Sequence, residues 1–286
     1  MPQPLYPPVG PQTIGQVLDT GFRIFQVSLV RCLLYGAAGM IAGQLPNIYS
    51  VLGRKPLTRV NLLDPELIAL YVVSSLLSLI IYCALVLRQY SIVTGRRRAM
   101  LAELAETLRR FPSILGVALI WFVMAGIWVV FLMTAMGTLA MAPTLRTITL
   151  TVGFVLALLM VYFLNPLSFA MPAVIIDGRR ASDAVRYGLM LVKGNWWRTA
   201  VIYTIVFVVI VAFYVVSTIA AGVLAFSLSG ADIVAMSAAA AVVYVALGAL
   251  GLPFTSAAVL ATYGELKVRR EAVDLEARLG EVRADA

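Results

Sequence analysis

Residues 67–98 read LIALYVVSSLLSLIIYCALVLRQYSIVTGRRR. From Leu67 to Thr94 the run is apolar almost throughout, and Gly95 and three consecutive arginines close it. About 20 apolar residues in a helix cross the hydrocarbon of a bilayer. A helix satisfies its backbone polar groups internally, which lipid cannot do for an irregular chain. Arginines at the end of such a run mark the end kept on the cytoplasmic side. This stretch therefore predicts a transmembrane helix with a basic cytoplasmic turn.

The same grammar extends in both directions. Six spans are predicted, at about Leu29–Leu52, Leu67–Thr94, Ser113–Met141, Thr147–Ile176, Thr199–Leu228 and Ile233–Tyr263. Hydrophobic residues make up 62% of the chain and charged residues 13%, against about 45–50% and about 25% in soluble domains. Lipid must then be part of the solvent. The net charge of +8 sits on residues flanking apolar runs, so topology and anionic lipid explain it without nucleic acid.

A basic amphipathic piece precedes each odd-numbered span. In the first, Thr13 and Gln16 have capping-box spacing. Ile14, Val17, Gly21, Phe25 and Ser28 form its apolar stripe, and Asp19 and Arg23 are spaced to pair across one turn. The second runs from Arg96 to Phe111, with Leu101, Leu104, Leu108, Phe111 and Leu115 as its stripe. The third runs from Ala181 to Trp197, with Val185, Leu189, Val192 and Trp196 on one face and Asp183, Arg186 and Lys193 on another.

These units recur at a period of about 85 residues. Thr94-Gly95-Arg96-Arg97 aligns with Asp177-Gly178-Arg179-Arg180, Pro166 with Pro253, and Gly21 with Gly188. The expected architecture is an all-α integral membrane fold: six transmembrane helices as three two-helix repeats with interfacial amphipathic helices. The repeats cover about 13–95, 96–178 and 179–264, related by an axis along the membrane normal. Residues 1–12 are an uncharged proline-rich lead, expected to be disordered and without the basic start of a signal peptide. Residues 265–286 are a charged helical tail. With both termini cytoplasmic, the only Lys or Arg residues on the far side are Arg54, Lys55, Arg59 and Arg146, of 22 in all.

The chain contains no histidine. That removes the commonest general base, the commonest zinc ligand and any Ser-His-Asp triad. Cys32 and Cys83 both lie inside apolar runs, where they read as small packing residues. No catalytic group, metal or cofactor is expected.

Three groups of residues remain as candidates. Arg96, Arg97, Arg98, Arg179, Arg180, Lys193, Arg198, Lys267, Arg269 and Arg270, with the interfacial aromatics Trp196 and Trp197, could hold anionic headgroups of the cytoplasmic leaflet. Asn165, Pro166 and Pro172 in the fourth span and Pro253 in the sixth should kink their helices and could line a cavity between them. Gly39 and Gly43 allow close helix packing.

Three stretches resemble a bacterial family, the membrane domain of glycerophosphoryl diester phosphodiesterases. They are Ile14–Phe25 (IGQVLDTGFRIF), Gly178-Arg179-Arg180 with Leu191–Arg198 (LVKGNWWR), and Leu266–Glu276 (LKVRREAVDLE). In fused members a separate barrel with catalytic histidines performs the hydrolysis. The resemblance therefore implies a stand-alone, non-catalytic accessory module of the inner membrane. On this reading the chain binds anionic lipid at its cytoplasmic rim, or a partner protein there through its C-terminal helix. The alternative is a transporter or lipid-translocating protein with a cavity between the fourth and sixth spans.

Overall fold

The computed structural model describes residues 6–52, 65–96, 99–138, 143–229 and 233–284. Among them the chain is helical throughout and has no strand. Ten helices follow in order: α1 (Ile14–Gly43), α2 (Leu45–Leu52), α3 (Pro65–Val93), α4 (Met100–Arg109), α5 (Phe111–Thr138), α6 (Pro143–Leu167), α7 (Ala170–Ile175), α8 (Ala181–Val192), α9 (Trp196–Ser229) and α10 (Ile233–Ala284).

Five of these are long and apolar enough to cross a bilayer: α1, α3, α5 over Phe111–Phe131, α9 over Trp196–Ala220 and α10 over Ala241–Ala272. Large apolar side chains such as Val30 and Val216 are more than two-thirds exposed, as only a lipid-facing surface tolerates over so wide an area. The chain is a membrane protein. The predicted fourth span is interrupted between α6 and α7. Pro166 lies inside α6, one residue before its end, and Phe169 donates back to the Pro166 carbonyl at 3.2 Å in a tightened turn before α7. A helix-interior proline lacks the donor for the carbonyl four residues before it.

The chain divides into two compact units, Met1–Leu108 with Val201–Ala286, and Arg109–Ala200. In the first, α1 packs on both α3 and α10. Glycines set the approach. A Cβ on Gly36 would stand 2.3 Å from the Ala249 carbonyl oxygen, and one on Gly39 would stand 3.2 Å from Leu252. Ser74 and Ser78 of α3 donate to the α1 carbonyls of Ala42 and Gly39 at 2.6 and 3.4 Å. In the second unit, α8 lies against α6 and α7 at Gly188, where a Cβ would come 2.4 Å from the Pro166 carbonyl oxygen.

Two sequence boundaries move. The first amphipathic piece and the first span form one unbroken helix, α1, ending at Gly43. No glycine or proline between Ser28 and Leu33 interrupts the helix there, and the Thr13–Gln16 capping box and the Asp19–Arg23 pair at 3.0 Å both form at its start. At the other end α10 runs without a break from the membrane into the charged tail. α10 continues through Gly264, and Tyr6 fills the notch left by the missing side chain; a Cβ on Gly264 would meet its ring at 2.4 Å. Tyr6 also meets Tyr90 edge-on, with ring centroids 5.4 Å apart, and is buried. The proline-rich lead is thus anchored from Tyr6 onward, because an aromatic ring and a missing side chain match in shape.

Candidate functional site

The basic turns are built by one local device. Gly95 after α3 has φ +70° and Gly178 after α7 has φ +69°, a left-handed conformation that glycine adopts without strain. At Gly178 the turn is closed by Gly178 N–H to the Val174 carbonyl at 3.2 Å and Arg179 N–H to the Ala173 carbonyl at 3.3 Å. In each case the chain leaves an apolar helix, reverses through glycine, presents exposed arginine, and enters a short amphipathic helix. Arg96 is exposed after Gly95; Arg179 and Arg180 are exposed after Gly178. Arg97 and Arg98 lie outside the described residues. Arg179 also sits over the Tyr187 ring at 3.8 Å. Arg110 tethers the end of α7 by donating to the carbonyls of Val174 at 3.1 Å and Ile175 at 2.6 Å.

Within the Arg109–Ala200 unit, Lys193 and Trp197 are exposed and Trp196 and Arg198 half-buried. Trp196 stacks on Tyr162 with centroids 5.5 Å apart and meets Trp197 edge-on at 4.8 Å. Asn165 is buried, and its amide donates to Thr199 Oγ1 at 2.9 Å and the Trp196 carbonyl at 3.2 Å, while its Oδ1 has no partner. Pro166 and Pro172 are buried beside it in sequence. These bonds commit Asn165 to tying α6 to the start of α9.

In the other unit Lys267, Arg269 and Arg270 are half-buried on α10. Arg269 is bound at 2.7 Å to Glu265, which is fully buried, and at 3.3 Å to the Gln12 carbonyl. The described residues end, for side chains, at Ala272. Pro253 is buried, and its carbonyl accepts from Gln89 at 2.8 Å.

Sequence reasoning missed two buried polar clusters. Glu103 of α4 has no exposed surface and accepts from Arg88 at 3.3 Å, Ser91 at 3.0 Å and Tyr35 at 3.1 Å. One carboxylate thereby joins α1, α3 and α4. Gln89, also fully buried, donates to Ser28 at 3.1 Å and to the Pro253 carbonyl, and accepts from Ser256 at 2.7 Å, joining α1, α3 and α10. The available signal was Arg88-Gln89, two adjacent long polar residues near the end of the apolar run Leu67–Val93.

Glu103 fixes the facing of α4. Of the predicted stripe, Leu101 is 79% and Leu108 50% exposed, while Glu103 and Thr107 are buried. Inside, the carboxylate finds cationic and hydroxyl partners; Leu101 and Leu108 point outward. On α8 the buried residues are Ala184, Tyr187, Gly188, Leu191 and Val192, so of the face predicted from Val185, Leu189, Val192 and Trp196 only Val192 is buried and Leu189 is exposed.

Beside α1 and α10 lies an apolar slot of about 240 Å³, completed by the part of α9 from Ile202 to Val209. Val17 and Gly21 of α1, Ile205 and Val209 of α9, and Phe254 and Ala258 of α10 form its walls, with Thr262 as its polar end. Thr262 directs its hydroxyl to the Ala258 carbonyl at 2.8 Å.

Among the described residues no three His, Cys, Asp or Glu side chains come together as a metal site. No family model, curated protein or solved structure matches the chain.

Proposed function

We propose that the chain is a non-catalytic, multi-pass inner-membrane module that binds anionic lipid at its cytoplasmic rim. The observation that carries this is the repeated basic turn. Twice an apolar helix ends in a left-handed glycine followed at once by exposed arginine and a short amphipathic helix. Each cation at an anionic leaflet contributes on the order of 1 kcal/mol, and α4 turns Leu101 and Leu108 outward where interfacial lipid would meet them.

The finer architecture we infer is six spans in three repeats, with both termini cytoplasmic. Three within-unit contacts support it: the α1 start packs at Gly21 against Ala258 of α10, α4 bonds through Glu103 to α3, and α8 packs at Gly188 against α6. In each, an amphipathic helix rests on the end of an even-numbered span. The membership suggested by the glycerophosphodiesterase-type membrane domain resemblance stays part of this proposal, as does a partner protein at the C-terminal helix. A transporter reading draws on the unpartnered Asn165 Oδ1, but the Asn165 amide bonds favour a packing role.

The test is lipid retention. Purified from membrane vesicles, the Arg96→Gln, Arg179→Gln, Arg180→Gln triple variant should carry less phosphatidylglycerol than wild type. Unchanged anionic lipid content would reject the rim site.

A further inference from the structure

We infer that the stretch from Tyr6 to Gln12 is a strap whose Tyr6 ring splints α10 at Gly264, and that lifting the strap turns Gly264 into a hinge for the charged segment beyond it. Every residue of α10 from Leu260 to Leu266 is buried, and from Lys267 to Ala272 none is. A helical turn takes about 3.6 residues, so an unbroken buried run of this length is covered on every side. α10 thus passes through a collar and emerges from it at Lys267. The α1 side of the collar lies at Gly21, where a Cβ would stand 3.6 Å from the Ala261 Cβ. The strap supplies the side that faces Gly264, and it ties the three helices together. Tyr6 meets Tyr90 of α3, the Gln12 amide exchanges hydrogen bonds with the Thr20 hydroxyl of α1 at 3.0 and 3.4 Å, and the Gln12 carbonyl accepts from Arg269 of α10 at 3.3 Å.

Gly264 is where this part of α10 resists bending least by itself. It is the only glycine between Gly251 and Gly280, and glycine loses more backbone freedom in a helix than any other residue. The Tyr6 ring stands where a side chain at 264 would be: its Cε2 and Cδ2 atoms lie 2.4 and 2.9 Å from the place of a Cβ. Unwinding the helix at Gly264 would uncover that ring, so the burial of Tyr6 opposes the unwinding. The segment beyond the joint is tied to the same strap, since Glu265 holds Arg269 and Arg269 holds the Gln12 carbonyl. With the strap lifted, the joint loses these contacts, and local opening is easiest where contacts are fewest. The posture of the charged segment from Lys267 onward then answers to the state of the N-terminal lead, with or without lipid at the rim.

Two readouts on the full chain in lipid nanodiscs test this. Hydrogen exchange reads the joint at the amides of Glu265 to Val268, whose helical acceptors are the carbonyls of Ala261 to Gly264. A nitroxide on Val9→Cys, a position 90% exposed, reads the strap, and Cys32 and Cys83 are buried away from the label. Tyr6→Ala should free the label and speed exchange at these amides about tenfold or more. Gly264→Ala drives a methyl into the Tyr6 ring and should free the label too, but alanine strengthens the helix, so the amides should stay protected. Tyr6→Ala combined with Gly264→Ala should free the label and return exchange to near the wild-type rate. Unchanged exchange in Tyr6→Ala would overturn the splint, because the collar would then hold α10 without the strap. Faster exchange than wild type in either variant carrying Gly264→Ala would overturn Gly264 as the hinge, and the single Gly264→Ala variant decides this even if Tyr6→Ala does not fold. A label that stays immobile in Tyr6→Ala and in Gly264→Ala would overturn Tyr6 as the anchor of the strap.

Discussion

The indole Nε1 of Trp196 donates to the carbonyl of Tyr162 at 3.2 Å. That carbonyl stands four residues before Pro166, whose missing N–H would otherwise have served it. The gap left by one residue is filled by another 30 positions later in the sequence. The proline of the sixth span has a related solution. Pro253 leaves the Ala249 carbonyl without its helical donor, and Gly36 backs onto that oxygen so closely that no side chain fits between them. A Cα–H···O contact is the compensation available there.

Trp196→Phe keeps the ring stacking on Tyr162 and removes the donor. A carbonyl stripped of its partner costs about 1–3 kcal/mol. Thermal unfolding in detergent should show a lowered Tm, and Trp196→Phe should lower it more than Trp197→Phe. Equal effects would mean that the bond to Tyr162 contributes nothing.

The Glu103 cluster should respond asymmetrically. Glu103→Ala leaves Arg88 beside a vacated site, and breaking a buried pair costs about 3–5 kcal/mol. Glu103→Gln keeps one acceptor oxygen for Ser91 and Arg88 and can donate its amide to the Tyr35 hydroxyl, so it should cost less. A double-mutant cycle with Arg88→Met should return a coupling of at least about 0.5 kcal/mol. Additive losses would show that the pair is incidental.

Gln89→Leu removes the donor to Ser28 and to the Pro253 carbonyl and the acceptor of Ser256, with an expected loss of about 1–3 kcal/mol. The Ser256 hydroxyl, 3.2 Å from the Pro253 carbonyl, is then its remaining side-chain donor. Adding Ser256→Ala should therefore cost more in the Gln89→Leu background, whereas Ser28→Ala, whose hydroxyl keeps the Ile24 carbonyl at 2.7 Å, should cost little there. The reverse order, measured by thermal unfolding, would contradict the network.

Glycine substitutions should separate by position. Gly36→Ala and Gly188→Ala drive a methyl into backbone carbonyls at 2.3 and 2.4 Å, and overpacking of this kind costs about 1–3 kcal/mol. Gly126 of α5 has no atom within 4 Å of its would-be Cβ, so Gly126→Ala should be neutral or stabilise by up to about 1 kcal/mol through helix propensity. Folded yield and Tm of the three variants would show it.

What could be read from the residues alone follows from where the chemistry is local. The Thr13–Gln16 box, the Asp19–Arg23 pair and the turns at Gly95 and Gly178 each depend on residues within a few positions of one another, and each is present. The facing of α4 was not readable. Apolar periodicity marks a stripe that avoids water, and for a helix between lipid and protein both sides satisfy that, so Leu101 could as well point out as in. What decides the matter is Glu103 meeting Arg88 and Tyr35, 15 and 68 residues away. The apolar slot needed three helices in place before it existed at all. The break between α6 and α7 was half legible: Pro166 announced a disturbance, but whether the helix would bend or stop depended on the close approach of α8 at Gly188.

The most direct test of the account is which side of the membrane its two basic turns occupy. Arg96→Cys and Arg179→Cys can be probed one at a time with a membrane-impermeant maleimide, because Cys32 and Cys83 are buried. Both sites should be silent on intact cells and both should label in inverted inner-membrane vesicles. Labelling of one site from outside and the other from inside would contradict the shared cytoplasmic rim.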